Sequence, residues 1–324
     1  MTLRLRVFSP EESTDAVLEL IDSHTGTAEL AVFRDVALES AGDLITALVA
    51  RESVGDLIDK LARLGLTTEG SISVDAPELV LSQKAREAAA ATPGADADAV
   101  IWDEVESTAD DEARLSWSFL AFLVIATQLA GIGIVTNSTI VIVGAMVVGP
   151  EFGPLSGLAL GLAERRWTLI RRAAVTLLVG FPVAMALCAL AVWISLPLGL
   201  FDPASISQGD SAVEFIYHPG PYSFIVAMLA GAAGMLSLIS RRSTVLVGVF
   251  ISVTTVPAAG FVAVALVLGE TEKAAGSAIQ LLLNLLGIVV SAFAVLMFYR
   301  LVRRRKQPVI FSRNPYRAYR PRQR

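Results

Sequence analysis

Cysteine, histidine and charge are all scarce in this chain of 324 residues. It has one Cys and two His, and only 18% of its residues are charged against 54% that are hydrophobic. The single Cys188 excludes an internal disulfide framework and a Cys-rich zinc site. Two histidines leave no basis for a His-based metal centre, so neither metal nor cofactor is expected. No Ser/His/Asp or Cys/His cluster is present, and an integral membrane enzyme is not expected. An ordinary soluble domain carries about 25% charged residues, so much of this chain is not built to face water. No apolar run occurs before residue 115, so no secretory signal is expected in this stretch.

Charge is unevenly divided. Residues 1–114 hold 24 Asp+Glu and 9 Lys+Arg, whereas residues 115–324 hold 7 and 17. The acidic part reads as a water-soluble module and the basic part as the apolar one. Four regions follow: 1–83, a folded cytoplasmic domain; 84–114, a linker and amphipathic helix; 115–301, a membrane domain; and 302–324, a basic tail.

In the first region, Thr2–Phe8 alternates with a period of two, as a strand does. Pro10 opens a helix with Val17, Leu18, Leu20 and Ile21 on one side. Thr27–Asp35 and Leu44–Ala50 read as strands. Ser53 is expected to cap a helix that Gly65 ends, and Ser71–Val74 is a fourth strand. Strand-helix-strand-strand-helix-strand is the ferredoxin-like split βαβ order. Such a domain serves either as a ligand-sensing regulatory module or as an assembly and docking module; fold alone does not choose. His24, at a helix end, reads as a surface or capping residue rather than a metal ligand. Pro93-Gly94 marks a linker. Val100–Arg114 places Ile101, Val105 and Thr108 near one helical face and acids on the rest, as a helix at a membrane surface would.

A spanning helix needs about 20 mostly apolar residues. Six stretches qualify: Leu115–Val135, Asn137–Ala163, Ala173–Leu198, Tyr222–Ser240, Thr244–Leu268 and Gly276–Leu301. The expected fold is therefore an α-helical polytopic membrane protein of six spans behind an α+β ferredoxin-like domain. The second, fourth and sixth connections hold Arg165, Arg166, Arg171, Arg172, Arg241 and Arg242, then ten Lys+Arg from Arg300 onward. The other connections hold only Lys273. The positive-inside rule then puts both termini in the cytoplasm of a bacterial or archaeal inner membrane. The tail, with Arg303, Arg304, Arg305 and Lys306, suits anionic lipid, or docking onto the acidic module. Nucleic acid is not expected as a partner, because no motif accompanies the charge. Small residues in the spans make a homo-oligomer plausible.

A faint repeat is visible. Leu129-Ala130-Gly131 recurs as Leu229-Ala230-Gly231, and Ser138-Thr139 as Ser243-Thr244. Each unit holds three spans, so the second copy would be inverted, as in transporters whose sites lie at broken helices. Chance similarity in a chain rich in small residues is the alternative. Glu151 is the one ionisable residue inside an apolar stretch, and such residues usually serve function. Gly149, Pro150, Gly153 and Pro154 break the helix around it and free carbonyls, which with the carboxylate suit Na⁺ or a proton. The alternative is a Glu that only satisfies the broken backbone. Thr254 and Thr255 lie just before Pro257, either as ion ligands or as partners of freed carbonyls. Ser277, Gln280, Asn284, Gly287 and Ser291 form a polar stripe, either a path or a hydrogen-bonded seam. Gln128 reads the same way. Tyr217–Pro221 reads as an interfacial turn, and Cys188 as an inert core residue.

The second stretch is the most specific. Asn137-Ser138, Gly144-Ala145-Met146, Gly149-Pro150 and Gly153-Pro154 resemble the signature of a bacterial and archaeal membrane family catalogued as domain of unknown function 389. Gly248 through Pro257 is similar to its second signature, and the resemblance runs from about Trp102 to Tyr299. It implies a membrane domain and names no substrate. Most versions of the resembling pattern carry an apolar residue where Glu151 stands, which implies that Glu151 marks a subgroup and that a family-wide mechanism does not rest on it. Two functions are carried forward: transport or conduction of an ion or small solute, and a scaffold or sensor through which nothing crosses.

Overall fold

The structure is a computed structural model that describes residues 2–37, 42–92, 102–201, 216, 220–240 and 255–306. The chain divides into two compact units, one of Met1–Thr108 with Ser237–Ser243 and the other of Ala109–Leu236 with Thr244–Arg324.

In the first unit the alternation at the start of the chain becomes β1 (Thr2–Pro10), with Leu3, Leu5 and Val7 buried and Arg4, Arg6 and Phe8 outside. It is followed by α1 (Glu11–Asp22), β2 (Thr27–Phe33), β3 (Gly42–Ala50), α2 (Arg51–Arg63), the short α3 (Leu66–Glu69), β4 (Ser71–Asp75) and α4 (Gln83–Ala91). The strands form one antiparallel sheet in the order β2-β3-β1-β4. Register is fixed by burial: Leu5 faces Ala47 on one side and Val74 on the other. A one-residue slip would turn every apolar side chain of β1 to solvent. Val17 and Ile21 of α1, with Val54, Leu57 and Leu61 of α2, close the core on the face of Leu3, Leu5 and Val7. Ser53 does not cap α2. Ala50 holds the cap position, and the Ser53 hydroxyl donates to its carbonyl at 3.0 Å. Gly65 follows α2 with φ of 84°, the left-handed turn that favours glycine.

In the second unit, α5 (Trp102–Glu112), whose first residues belong to the first unit, leads to α6 (Trp117–Val135). Ser116 starts α6 by accepting from the Phe119 amide at 3.1 Å. Then come α7 (Thr139–Val148), α8 (Phe152–Glu164), α9 (Trp167–Ser195), α10 (Pro221–Ser240), α11 (Thr255–Leu268) and α12 (Thr271–Lys306). Four of these, α6, α9, α10 and α12, are long and apolar enough to cross a bilayer, and the pair α7–α8, bent by 50°, makes a fifth if it is one span. Helix α11, with 14 residues, is too short alone; the rest of the stretch expected from Thr244 lies outside the described residues. Trp167 and Trp193 are exposed at opposite ends of α9. Their separation of about 39 Å along a helix is close to the full bilayer width with its interfaces, where exposed tryptophans collect.

Helices α8 and α11 differ from the others. Nearly every residue of Phe152–Gly161 and of Thr255–Ala265 is buried. Apolar on all sides, both need neighbours on all sides. α8 packs against α9 and α12, and α11 against α6, α9 and α12. The end of α5 seats on α8 as well, with Ala113 against Gly157. The Thr176 hydroxyl on α9 donates to the Ala113 carbonyl at 2.8 Å, and Arg172 Nη1 donates to both carboxylate oxygens of Asp110, at 2.9 and 3.0 Å. These residues of the acidic helix thus pack on protein and pair with an arginine of α9.

Candidate functional site

The break between α7 and α8 is a consequence of sequence. Pro150 has no amide hydrogen and disfavours helical backbone at the residue before it. Gly149 accordingly turns extended, with φ of −62° and ψ of 127°. Pro154 falls in the first turn of α8, where a missing amide costs nothing. Gly149, Pro150 and Glu151 are therefore all that separates the two helices.

Glu151 is only 5% exposed. One carboxylate oxygen, Oε1, accepts a short hydrogen bond from the Thr255 hydroxyl at the start of α11. The other, Oε2, is buried with no hydrogen-bond partner among the described residues. A β-carbon on Gly149 would run into that carboxylate and come within 2.8 Å of Val256. Gly149 therefore serves to make room for the acid as well as to break the helix.

Gln280 and Asn284 on α12 are also buried, at 0% and 1% exposure. The Gln280 amide donates to Asn284 Oδ1 at 3.4 Å, a long bond, while its own Oε1 has no partner among the described residues. Ser277 and Ser291 have conventional partners: Ser277 donates to the Ala258 carbonyl at 3.0 Å and Ser291 to that of Ile288 at 3.1 Å. The stripe is thus satisfied at its two ends, and between them Gln280 Oε1 lacks a partner among the described residues.

The other expected residues do not join this group. Asn137, with φ of 50°, forms the turn between α6 and α7, and Ser138 caps α7 by accepting from Val141 at 3.4 Å. Both stand at the far end of α7 from Glu151. Gln128 is half-buried on α6. Gly153 and Pro154 shape the first turn of α8, and Pro257 the first turn of α11. Thr254, the Tyr217-His218-Pro219 turn and the tail beyond Lys306 lie outside the described residues. Arg303, Arg304, Arg305 and Lys306 continue α12.

One residue was missed by sequence reasoning. Glu112, read only as one acid of a polar helix face, keeps contact with solvent but lies over Gly153, so close that a β-carbon there would meet it at 2.8 Å. The crowding raises its pKa above the ordinary carboxylate value by desolvation. Its i, i+4 relation to Thr108 hid it; only the glycine pair 153 and 157 across from it carried a signal.

In the first unit His24 is partnered. Its Nε2 meets Asp56 Oδ2 at 3.1 Å, and its side chain is nearly buried. Outside the core, a groove of about 560 Å³ runs along the outer sheet face between Arg4, Arg6, Phe33, Leu44 and the segment Leu79–Ser82. Among the described residues no group of three or more His, Cys, Asp or Glu is placed to hold a metal.

Residues 146–290 match the family described as "Domain of unknown function (DUF389)", the family whose signature the second stretch resembles. An uncharacterised protein of Methanocaldococcus jannaschii is 27% identical over 200 residues, covering 62% of this chain and 60% of its own length. The chain thus spans less than two thirds of that relative. No solved structure matches the chain.

Proposed function

We propose that this protein moves an ion or small solute across a bacterial or archaeal inner membrane, with the break at Gly149–Glu151 as its site. The observation that carries the reading is Glu151: a buried, half-satisfied carboxylate where a broken helix meets α11. A charge at a helix centre costs roughly 3 kcal/mol on insertion scales, and such residues usually serve function. The two helices buried on all sides are the ones that meet there, as expected when a site is built from the inner, broken elements of a transporter.

Six spans in a 3+3 inverted repeat are part of this proposal. Its support lies in the two Leu-Ala-Gly copies. Gly131 brings α6 against Cys188 of α9, the first and third spans. Gly231 brings α10 against Ile288 and Ser291 of α12, the fourth and sixth. Equivalent glycines make equivalent approaches. The arginine bias puts both termini in the cytoplasm. There the N-terminal domain, ferredoxin-like by its strand order, gates or assembles the membrane part, and the tail binds anionic lipid. A homo-oligomer fits the small residues of the spans.

Reconstitution tests the reading. Vesicles containing the protein should pass at least one common ion or small solute faster than empty vesicles, and Glu151→Gln should remove the difference. Equal flux for every solute would instead favour a scaffold or sensor, a reading to which the satisfied ends of the α12 stripe lend some support.

A further inference from the structure

Among the described residues of the second unit, two buried side-chain oxygens have no partner, Glu151 Oε2 and Gln280 Oε1. An ionised carboxylate and an amide oxygen can only accept. Two unfilled acceptors in one apolar interior call for the same complement, a donor or a cation.

Packing brings them to one level of the unit. Helices α11 and α12 form an antiparallel hairpin in which Ser277 contacts Ala258. One turn further along α12 is Gln280, and one turn back along α11 is Thr255, which holds Glu151. Glu151, Thr255 and Gln280 therefore fall at one level of the unit.

We infer that Glu151, Thr255 and Gln280 form a site for a dehydrated monovalent metal cation of the sodium type. The inference rests on the transport site lying at the break, and it names the ion. Carboxylate, hydroxyl and amide oxygens are the ligands of hard cations. The C-terminal turn of α7 ends at the site with carbonyls that have no intrahelical donor, which adds backbone oxygen. One carboxylate neutralises one positive charge; a divalent ion would leave a net charge in an apolar interior. A proton is the competing complement of Oε2, and the test separates the two.

The test uses the purified full chain in detergent, with thermal unfolding followed in sodium, lithium, potassium and choline chlorides at constant ionic strength, each at several pH values. Sodium or lithium should raise the unfolding midpoint saturably above the choline value. Glu151→Gln and Gln280→Leu should each shift half-saturation upward by about tenfold or more. Should Glu151→Gln fail to fold, Thr255→Val, close in shape, carries the same expectation. Identical midpoints in all four salts would overturn the site, as would a cation response that survives both substitutions. So would a midpoint that moves only with pH, which would mean the carboxyl takes a proton. Saturable binding without flux keeps the cation site and removes the transport reading. Glu151-dependent flux with no cation response does the reverse.

Discussion

Asp43 and Glu151 are both buried carboxylates, at 3% and 5% exposure, and the chain treats them differently. Asp43, in the sheet unit, accepts from the Asp35 amide at 2.9 Å and faces Arg34 at 3.5 Å. The backbone hydrogen bond from Asp35, against some desolvation and helped by Thr14 and Arg34, holds its pKa below the ordinary range. Glu151 accepts from one hydroxyl, and its second oxygen has no partner among the described residues. A buried acid whose lone pairs are filled from the chain is part of the fold; one left with an unpartnered oxygen calls for a proton, a water or an ion. The same contrast separates Ser277 and Ser291, which are satisfied, from Gln280 between them.

The sharpest way to break the contrast is to test whether the two regions fail separately. Leu57→Ala, which opens a cavity beneath the sheet, should cost 2–5 kcal/mol or about that range. Chemical denaturation should show a weakened sheet unit, while saturable sodium stabilisation of the membrane unit persists. Abolition of both by this one substitution would tie the units together.

Gly231→Val drives a side chain into the backbone of Ile288 and should cost about 1–3 kcal/mol by overpacking. Here the loss should appear in the membrane unit and leave the Leu57 core untouched, as hydrogen exchange of the two regions would resolve.

Next in size is the acid limb. Because its folded pKa is depressed, Asp43 contributes stability that is present above its unfolded pKa of about 3.9 and lost as pH falls through the lower folded value. Asp56 adds to this: burial pulls its pKa up, but hydrogen bonds from Lys60 and His24 outweigh that and leave it lowered. Asp43→Asn should flatten the fall in stability of the sheet unit below about pH 4. An unchanged acid limb in a pH titration of the variant would deny Asp43 its role.

Glu112 runs the other way. Its raised folded pKa penalises the ionised form, so the penalty grows as pH rises through the unfolded value toward the folded one. Glu112→Gln should therefore stabilise the protein at pH 7 and do little at pH 4. The smallest effect is expected at Arg114. Its contacts with Asp110 and Asp111, both 3.5 Å, are exposed, and Arg114→Ala should change stability by about 0.5 kcal/mol or less.

Much of this architecture was legible because it rests on local pattern. Alternation marked β1, Pro150 marked the break, and runs of apolar residues marked α6, α9, α10 and α12. The sheet order also followed from element order, since a split βαβ unit has few ways to close. What could not be read were contacts set by packing. Glu151 and Thr255 are 104 residues apart, and each was listed for its own reason. Asn137 and Ser138 stood in the same motif as Glu151, yet one makes a turn and the other a cap, because a 10-residue helix carries them away from it. Ser53 looked like a cap by type, but the chain turns helical two residues earlier. Glu112 was hidden because solvated acids and acids laid over a glycine look alike in one dimension. The all-round burial of α8 and α11 was equally silent, since lipid and protein demand the same apolar surface.

One consequence follows from the far end of α8. Arg300 of α12 bonds both the Ala163 carbonyl and the Glu164 carboxylate, so it fastens the last turn of α8 as a clasp does. Helix α7 is held at its other end: the Ser138 amide donates to the Gly133 carbonyl at 2.8 Å, and Gly133 lets Ile142 close onto α6. The two halves of the broken segment are thus anchored at opposite ends, α7 to α6 and α8 to α12. Any relative movement of those two partners would be felt as bending at Gly149, with Glu151 at the fulcrum.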